Sequence, residues 1–299
     1  MNLSIIGSSR IVEEHIKAAK KLNINIKYIY SSKVNSKNLS KLSDKYKLKK
    51  ILDFEKFCEL VKKEKSNILI AGRIQDNQFY IEKFLKNKNK IFIEKPVFND
   101  SVKFKKYLKF NSKFFVGFNR IFYKNVKYLV NNNSVNLKNL EISCICPEKN
   151  NERIITNTSH VISVFFYLFK NLKILNKNKF GDRIFVRLKA NNNTYINLII
   201  LYNAMSNFEI YMYSKKFKIE FKTLELLKIY SHLEKKIVRN NNFYKLIEKK
   251  KIDEFSDSFV KPGIYNQMKE FKEFCSKRKK ILNDMNFAYK VVKLTELIS

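Results

Sequence analysis

Over residues 1–117, short apolar runs alternate with amphipathic segments at a steady spacing, and few folds accept that rhythm. The apolar runs fall at residues 2–6, 25–30, near 51, 67–71, 90–93 and 113–117. Residues 2–6 alternate weakly and carry Leu3, Ile5 and Ile6, whereas 91–93 is a short apolar, β-branched run of the kind a buried strand shows. Between them, residues 11–22, 36–46, 54–63, 75–87 and 105–110 read as helices. The first places Ile11, Val12, His15, Ile16, Ala19 and Leu22 on one face. Strand and helix in regular alternation predict a parallel, doubly wound sheet with right-handed crossovers.

The first crossover carries chemistry. A strand, the turn Gly7-Ser8-Ser9-Arg10 and a helix opening at Ile11 make the nucleotide-binding start of such a sheet. The phosphate-binding pattern G-x-G-x-x-G/A would place glycines at 7, 9 and 12, and the chain has Gly7, Ser9 and Val12. An ordinary strand-turn-helix unit would also satisfy this stretch. Serine at 9 crowds a pyrophosphate but can donate a hydrogen bond to it. The second strand ends in Ser31-Ser32-Lys33, with no acid to hold a ribose 2′-hydroxyl. Hydroxyls and a cation suit a 2′-phosphate, which points to NADP over NAD.

The fifth strand breaks its own pattern. Ile91-Phe92-Ile93 is followed at once by Glu94-Lys95-Pro96. Ligands sit at the carboxyl end of strands in an open parallel sheet. Proline stops the strand and holds the preceding residue extended, which projects Lys95 from the sheet edge. A plain polar turn is the competing reading.

From residue 118 the rhythm changes. A helix is expected over 119–130, a long strand over 135–146 and an apolar helix over 158–168. Strands follow at 183–189, 194–202, 208–213 and 217–221, joined by tight turns such as Asn191-Asn192-Asn193. Consecutive strands on short turns predict a largely antiparallel sheet. Residues 234–257 are charge-rich and read as an excursion from it. Amphipathic helices at 265–275 and 286–298 close the chain. The expected organisation is therefore a Rossmann-type domain over 1–117 and an α+β domain over 118–299.

Composition limits the partners. With 45% hydrophobic residues the chain is globular, and no apolar run nears the roughly 18 residues of a membrane span. No secretory leader is evident at the start, so the cytoplasm is the expected compartment. The net charge of +34 would suit nucleic acid, but the lysines are spread along the chain and arginine is scarce. Low glycine and proline beside abundant Lys, Asn, Ile and Phe fit an AT-rich coding bias, so no nucleic-acid partner is expected. Of the cysteines 58, 144, 146 and 275, only Cys144 and Cys146 are close. They lack the histidine or CxxC company of a metal site, so no metal is expected.

Taken together, the motifs resemble the glucose–fructose oxidoreductase / inositol dehydrogenase / rhizopine-catabolism (Gfo/Idh/MocA) family. They are IIGSSRIVEEHIKAA, LSDKY at 42, IFIEKP, VGFNR, TSHVISVFFYL and the ending GIYNQMKEFKEFC…MNFAYKVVKLTELI. The resemblance implies that Gly7, Ser8, Ser9, Arg10, Ile11, Ser31, Ser32, Lys33 and the Glu94-Lys95-Pro96 motif bind a nicotinamide dinucleotide. It implies that Lys95 lies beside the nicotinamide and the substrate hydroxyl, and that His160 is the acid/base of an Asp-x-x-x-His motif. The aspartate position falls on Thr156, a departure, and a further polar position falls on Ser163. Asn119 and Arg120 match a substrate-side motif, although a helix cap would also account for them. A homodimer or homotetramer is implied by the family and by a free sheet face.

The expected function is NAD(P)-dependent hydride transfer between nicotinamide and a hydroxyl or keto group of a sugar or nucleotide sugar. The alternative is a relative that binds the cofactor without catalysis, as a sensor or scaffold. It is motivated by the incomplete glycine pattern and by Thr156.

Overall fold

The computed structural model describes residues 1–33, 36–132, 135–149, 154, 156–239, 241–256, 259–277 and 281–299. The chain forms two compact units: Met1–Phe122 with Phe259–Glu296, and Tyr123–Ser258 with Leu297–Ser299.

The first unit holds a parallel sheet of β1 (Asn2–Ile6), β2 (Asn25–Tyr30), β3 (Lys49–Ile51), β4 (Asn67–Ile70), β5 (Ile91–Glu94) and β6 (Phe114–Gly117). Its order is β3-β2-β1-β4-β5-β6, all parallel. The chain thus reverses direction of travel across the sheet between β1 and β4, the switch point of a doubly wound fold. Leu3, Ile5, Ile68, Leu69, Ile70, Ile91, Phe92 and Ile93 are wholly buried. Each such side chain contributes about 1.5–3 kcal/mol by leaving water. Helices α1 (Arg10–Lys21), α2 (Lys37–Tyr46), α3 (Phe54–Lys63) and α4 (Asn77–Leu85) form the crossovers. Ser36 caps α2 by accepting from Leu39 N at 3.2 Å, and Asp53 caps α3 from Lys56 N at 2.6 Å.

The helix expected at 105–110 is instead a run of 3₁₀ turns over Ser101–Lys113, started by Asp100 accepting from Val102 N. Only Phe104 and Tyr107 of this run are buried, an i, i+3 pair on one face that suits 3₁₀ spacing. The closing helices α7 (Ile264–Lys277) and α8 (Met285–Ile298) were expected to continue the second domain. Almost all of both lies in the first unit. Phe271 of α7 packs edge-on to Phe92 and Phe115, with ring centroids 5.2 and 5.4 Å away.

The second unit is built on an eight-stranded sheet. Its strands are β7 (Glu141–Glu148), β8 (Leu172–Phe180), β9 (Arg183–Ala190), β10 (Tyr195–Tyr202), β11 (Glu209–Tyr213), β12 (Lys218–Thr223), β13 (Leu226–Val238) and β14 (Asn241–Asp253). The order is β14-β13-β12-β11-β7-β10-β9-β8. Every neighbouring pair is antiparallel except β7 and β10. Strand β9 buries every second residue, so one face meets the core. Helices α5 (Lys124–Asn131) and α6 (Ser159–Phe169) complete the unit.

Three expectations change here. The helix over 119–130 divides into a 3₁₀ turn at Asn119–Phe122 and α5. The strand over 135–146 starts later, at Glu141, and runs to Glu148. The charge-rich segment 234–257 is no excursion: up to Asp253 it belongs to the β13–β14 ribbon at the sheet edge. Glu234 faces Lys245 there, and Lys228 pairs with Glu248 at 2.9 Å. From Glu234 to Lys251 nearly every described residue of that ribbon is exposed, so charge replaces the apolar alternation with which β13 begins at Leu227 and Ile229. Asp257, at the end of the segment, lies outside the described residues. Among the described residues no helix is long and apolar enough to cross a membrane.

Candidate functional site

In the first unit, the carboxyl ends of β1, β2, β4 and β5 bring most of the expected cofactor residues to one sheet edge. Gly7 follows β1 with φ of +127°, a conformation that side-chain-bearing residues rarely adopt. A Cβ there would stand 2.4 Å from the carbonyl oxygen of Ala71, at the end of β4. The backbone is thus drawn tight at the switch point, and only glycine permits it. Gly7 N also donates to Tyr30 O at 2.8 Å, locking the turn to β2.

The other two positions of the pattern do not need glycine. Ser9 is extended, at φ −79° and ψ 171°, and exposed. It stands at the N-cap of α1, yet its hydroxyl makes no cap bond. Val12 is wholly buried and fills the space between α1 and the sheet. Arg10 is exposed and Ile11 half-buried at the first turn of α1. The amide groups of that turn point past Ser9, as an anion site at a helix start requires.

Ser8, Ser31 and Ser36 form a small hydroxyl cluster. Ser8 Oγ lies 3.3 Å from Ser31 Oγ and 3.1 Å from Ser36 Oγ. Ser31 is buried, whereas Ser32 and Lys33 are exposed at the end of β2. The nearby acids are otherwise engaged: Asp53 caps α3, and Asp76 pairs with Arg73 at 3.0 Å.

Glu94, Lys95 and Pro96 end β5, with the Lys95–Pro96 peptide cis. All three are half-buried. Glu94 is gripped from two sides. Nε2 of His15, on α1, lies 2.6 Å from its Oε1, and a Cβ on Gly117 would come within 2.8 Å of its carboxyl group. His15 is wholly buried, edge-on to Phe92 at 5.0 Å. The other Glu94 oxygen accepts from Lys95 N at 3.3 Å. Glu94 therefore anchors the strand end to α1 and fixes the backbone from which Lys95 projects. Sequence reasoning placed His15 on the buried face of α1 but gave it no role. Its signal was a titratable side chain among apolar neighbours.

Asn119, at 5% exposure, also lies in the first unit and donates to Pro262 O at 3.0 Å. That bond commits its amide nitrogen to the chain itself and leaves the amide oxygen as the group that could cap or bind. Arg120 is half-buried beside it.

In the second unit, His160 stands in the first turn of α6 and is half-buried. Its backbone carbonyl accepts from Ser163 Oγ at 2.7 Å, so the buried Ser163 hydroxyl is spent on the helix. Thr156 is half-buried just before the helix, and its carbonyl accepts from Ser159 Oγ at 3.2 Å. A carboxylate that sequence reasoning missed stands close by. Glu148, 3% exposed at the end of β7, accepts from Asn157 Nδ2 at 3.1 Å and from the Thr158 hydroxyl. It holds the segment leading into His160. Nothing local marked it, because Glu148 closes a strand whose preceding residues carry no motif. Cys144 and Cys146, on the same strand, have sulfurs 3.8 Å apart. Burial pushes the Cys146 thiol well above its usual range.

Residues 1–118 match the family model described as "Oxidoreductase family, NAD-binding Rossmann fold". No curated protein matches the sequence. Among solved structures, the chain resembles a dehydrogenase (MviM) from Clostridium difficile at 17% identity and a TM-score of 0.78, covering 100% of this chain and 98% of that one. It resembles UDP-N-acetylglucosamine 3-dehydrogenase GnnA from Acidithiobacillus ferrooxidans at 12% identity and 0.76, covering 100% and 96%. A levoglucosan dehydrogenase in complex with NADH matches at 11% identity and 0.75, covering 100% and 95%. At such identities the likeness is one of fold. The sequence match, the sheet order and the Gly7 turn agree: residues 1–118 are similar to the NAD-binding Rossmann domain of that oxidoreductase family.

Proposed function

We propose that this protein transfers hydride between a nicotinamide dinucleotide and a carbinol or keto carbon of a sugar or nucleotide sugar. The observation that carries the reading is the Gly7 turn. Its backbone is pressed against Ala71 O and opens a helix start towards the sheet edge where Lys95 emerges. A side chain at position 7 would strike the Ala71 backbone, so glycine keeps the turn tight against β4, and the helix start beyond it suits a pyrophosphate; the residues present fit the dinucleotide. Gly7, Ser8, Ser9, Arg10 and Ile11 would hold its phosphates. Ser31, Ser32 and Lys33 would take the ribose end, with NADP favoured because β2 ends in hydroxyls and a cation. When bound, the cofactor supplies the hydride acceptor or donor.

Lys95 and His160 have the proton work in this reading. Oxidising a carbinol releases a proton as well as hydride, and imidazole is suited to take it near neutral pH. Lys95 polarises the oxygen or shares that proton, from a backbone fixed by Glu94 and His15. Thr156 stands where the family's aspartate would be, so the precise setting of His160 falls to its own helix and to the Glu148 network. Asn119 and Arg120 are assigned to the substrate side, Asn119 through its remaining oxygen. Support for a sugar substrate comes from the fold likeness to dehydrogenases of UDP-N-acetylglucosamine and levoglucosan.

The test is a panel of sugars and nucleotide sugars with NAD(P)⁺, monitored for reduced nicotinamide, on the wild type and on Lys95→Ala. Turnover by the wild type that falls at least a hundredfold in the variant supports the reading. Turnover unchanged in Lys95→Ala refutes the assignment of Lys95. Dinucleotide binding without transfer to any substrate would favour the non-catalytic alternative.

A further inference from the structure

The sheet edge opposite Gly7 carries a second concavity. It lies at the amino ends of β4, β5 and β6 and encloses about 1030 Å³. Lysine and arginine make up 61 of 299 residues in the chain, but lysine alone makes up six of the fifteen lining residues. Among the described residues they are Lys65, Lys86, Lys88, Lys90, Lys109 and Lys113, set against one carboxylate, Asp284. That carboxylate is engaged, accepting from Asn111 Nδ2 at 2.5 Å and from Phe287 N at 2.9 Å.

Lysines on a convex, solvated surface stand apart and are screened. In a concavity their fields add and attract anions. Lys113 registers the environment: burial, and then the charge of Lys90, hold its pKa below the usual lysine value. Its ammonium donates to the carbonyl oxygens of Leu85 (2.6 Å) and Asn87, at the end of α4. Lys90 donates to Ser112 O at 2.8 Å and lies 4.5 Å over the ring of Phe274. The carbonyl partners of Lys113 are neutral and leave its positive charge in place. Capping the carbonyls of α4 explains Lys113 but not the other five. Cys275 adds no negative charge, because burial pushes its thiol up to about 12.

We propose that this concavity binds a small multivalent anion, a metabolite bearing two or more phosphate groups, at a site separate from the Gly7 turn. A small ligand is favoured over a nucleic acid on two grounds. The volume is that of a single-ligand pocket, which runs to roughly 1,000 Å³. Among the described residues the one aromatic ring in the lining, Phe274, is 3% exposed and offers no stacking platform.

The experiment is calorimetric titration of the full chain with inorganic tripolyphosphate, pyrophosphate and orthophosphate at constant ionic strength. The expected result is saturable binding of one anion per chain, strongest for tripolyphosphate and unchanged when NADH is present. Lys86 and Lys88 are exposed, so the double variant K86E/K88E should fold normally and bind at least tenfold more weakly. The same charge change on the exposed β14 residues, K245E/K249E, should leave binding unaltered. Equal weakening by both variants, unsaturable binding, competition by NADH, or a single-stranded RNA binding this site more tightly than tripolyphosphate would each overturn the proposal.

Discussion

Nε2 of His15 lies 2.6 Å from Oε1 of Glu94, joining the first crossover helix to the strand end that presents Lys95. A carboxylate only accepts, so the shared proton sits on Nε2 of the imidazole. The other ring nitrogen is buried without a hydrogen-bond partner. The pair thus gives the histidine one polar contact and the glutamate its main anchor. Replacing His15 by alanine leaves a mostly buried carboxylate without that donor. We expect a loss of about 1–3 kcal/mol in urea denaturation. Glu94→Gln keeps an acceptor for Nε2 and should lose less. Equal stability of H15A and wild type would show that the contact does not anchor Glu94.

Gly117 provides a second handle on the same carboxylate. A methyl group there would meet the Glu94 carboxyl at 2.8 Å. Gly117→Ala should therefore displace Glu94 from His15 and lower the rate of hydride transfer about as much as Glu94→Ala does. Combining G117A with E94A should add little, since one contact is removed twice. Additive losses in kcat/KM would contradict this coupling.

The proposed acid–base groups make a kinetic prediction. Lys95→Ala and His160→Ala should each reduce kcat by ~10²–10⁴-fold, the usual worth of a general acid–base group, with melting temperature little changed. A drop confined to KM would mean that the side chains bind substrate and do no proton transfer.

Glu254 offers a test of stability against pH in the second unit. Burial raises its pKa above the usual carboxylate value, outweighing the backbone donors Asn125 N and Lys124 N. The bond from Asn125 N measures 2.7 Å. A raised folded-state pKa means that the folded chain holds this proton more tightly than the unfolded one. The resulting stability is complete below the unfolded pKa and is lost as pH climbs through the folded value. Glu254→Gln, which still accepts from those amides, should lack this component of pH dependence. Denaturation midpoints measured from acid to neutral pH check it. Parallel curves for wild type and variant would disprove the assignment.

The β1–β6 sheet was legible because strands covered on both faces are continuous apolar runs, as in Ile91-Phe92-Ile93. The Gly7 turn was legible because glycine is demanded by the approach of Ala71 O. The β13–β14 ribbon was not, since solvated edge strands need no apolar alternation and their charges read as a loop. Strand β8 was missed for the same reason: most of Leu172–Phe180 is exposed. The Glu94–His15 pair spans 79 positions. Only the folded sheet brings the end of β5 to the buried face of α1. Glu148 was hidden likewise, because its partners Asn157 and Thr158 reach it through tertiary packing rather than a local pattern.

The most direct test of the central claim is thermal unfolding of the purified chain with NAD⁺, NADH, NADP⁺ and NADPH in parallel. A dinucleotide at about 100 times its Kd adds about 2.7 kcal/mol and raises the melting point. The account predicts such a shift, largest with NADP⁺ or NADPH, and its loss in Gly7→Ala. If none of the four moves the transition of the wild type, the Gly7 turn is no longer a dinucleotide site and the proposed hydride transfer fails with it.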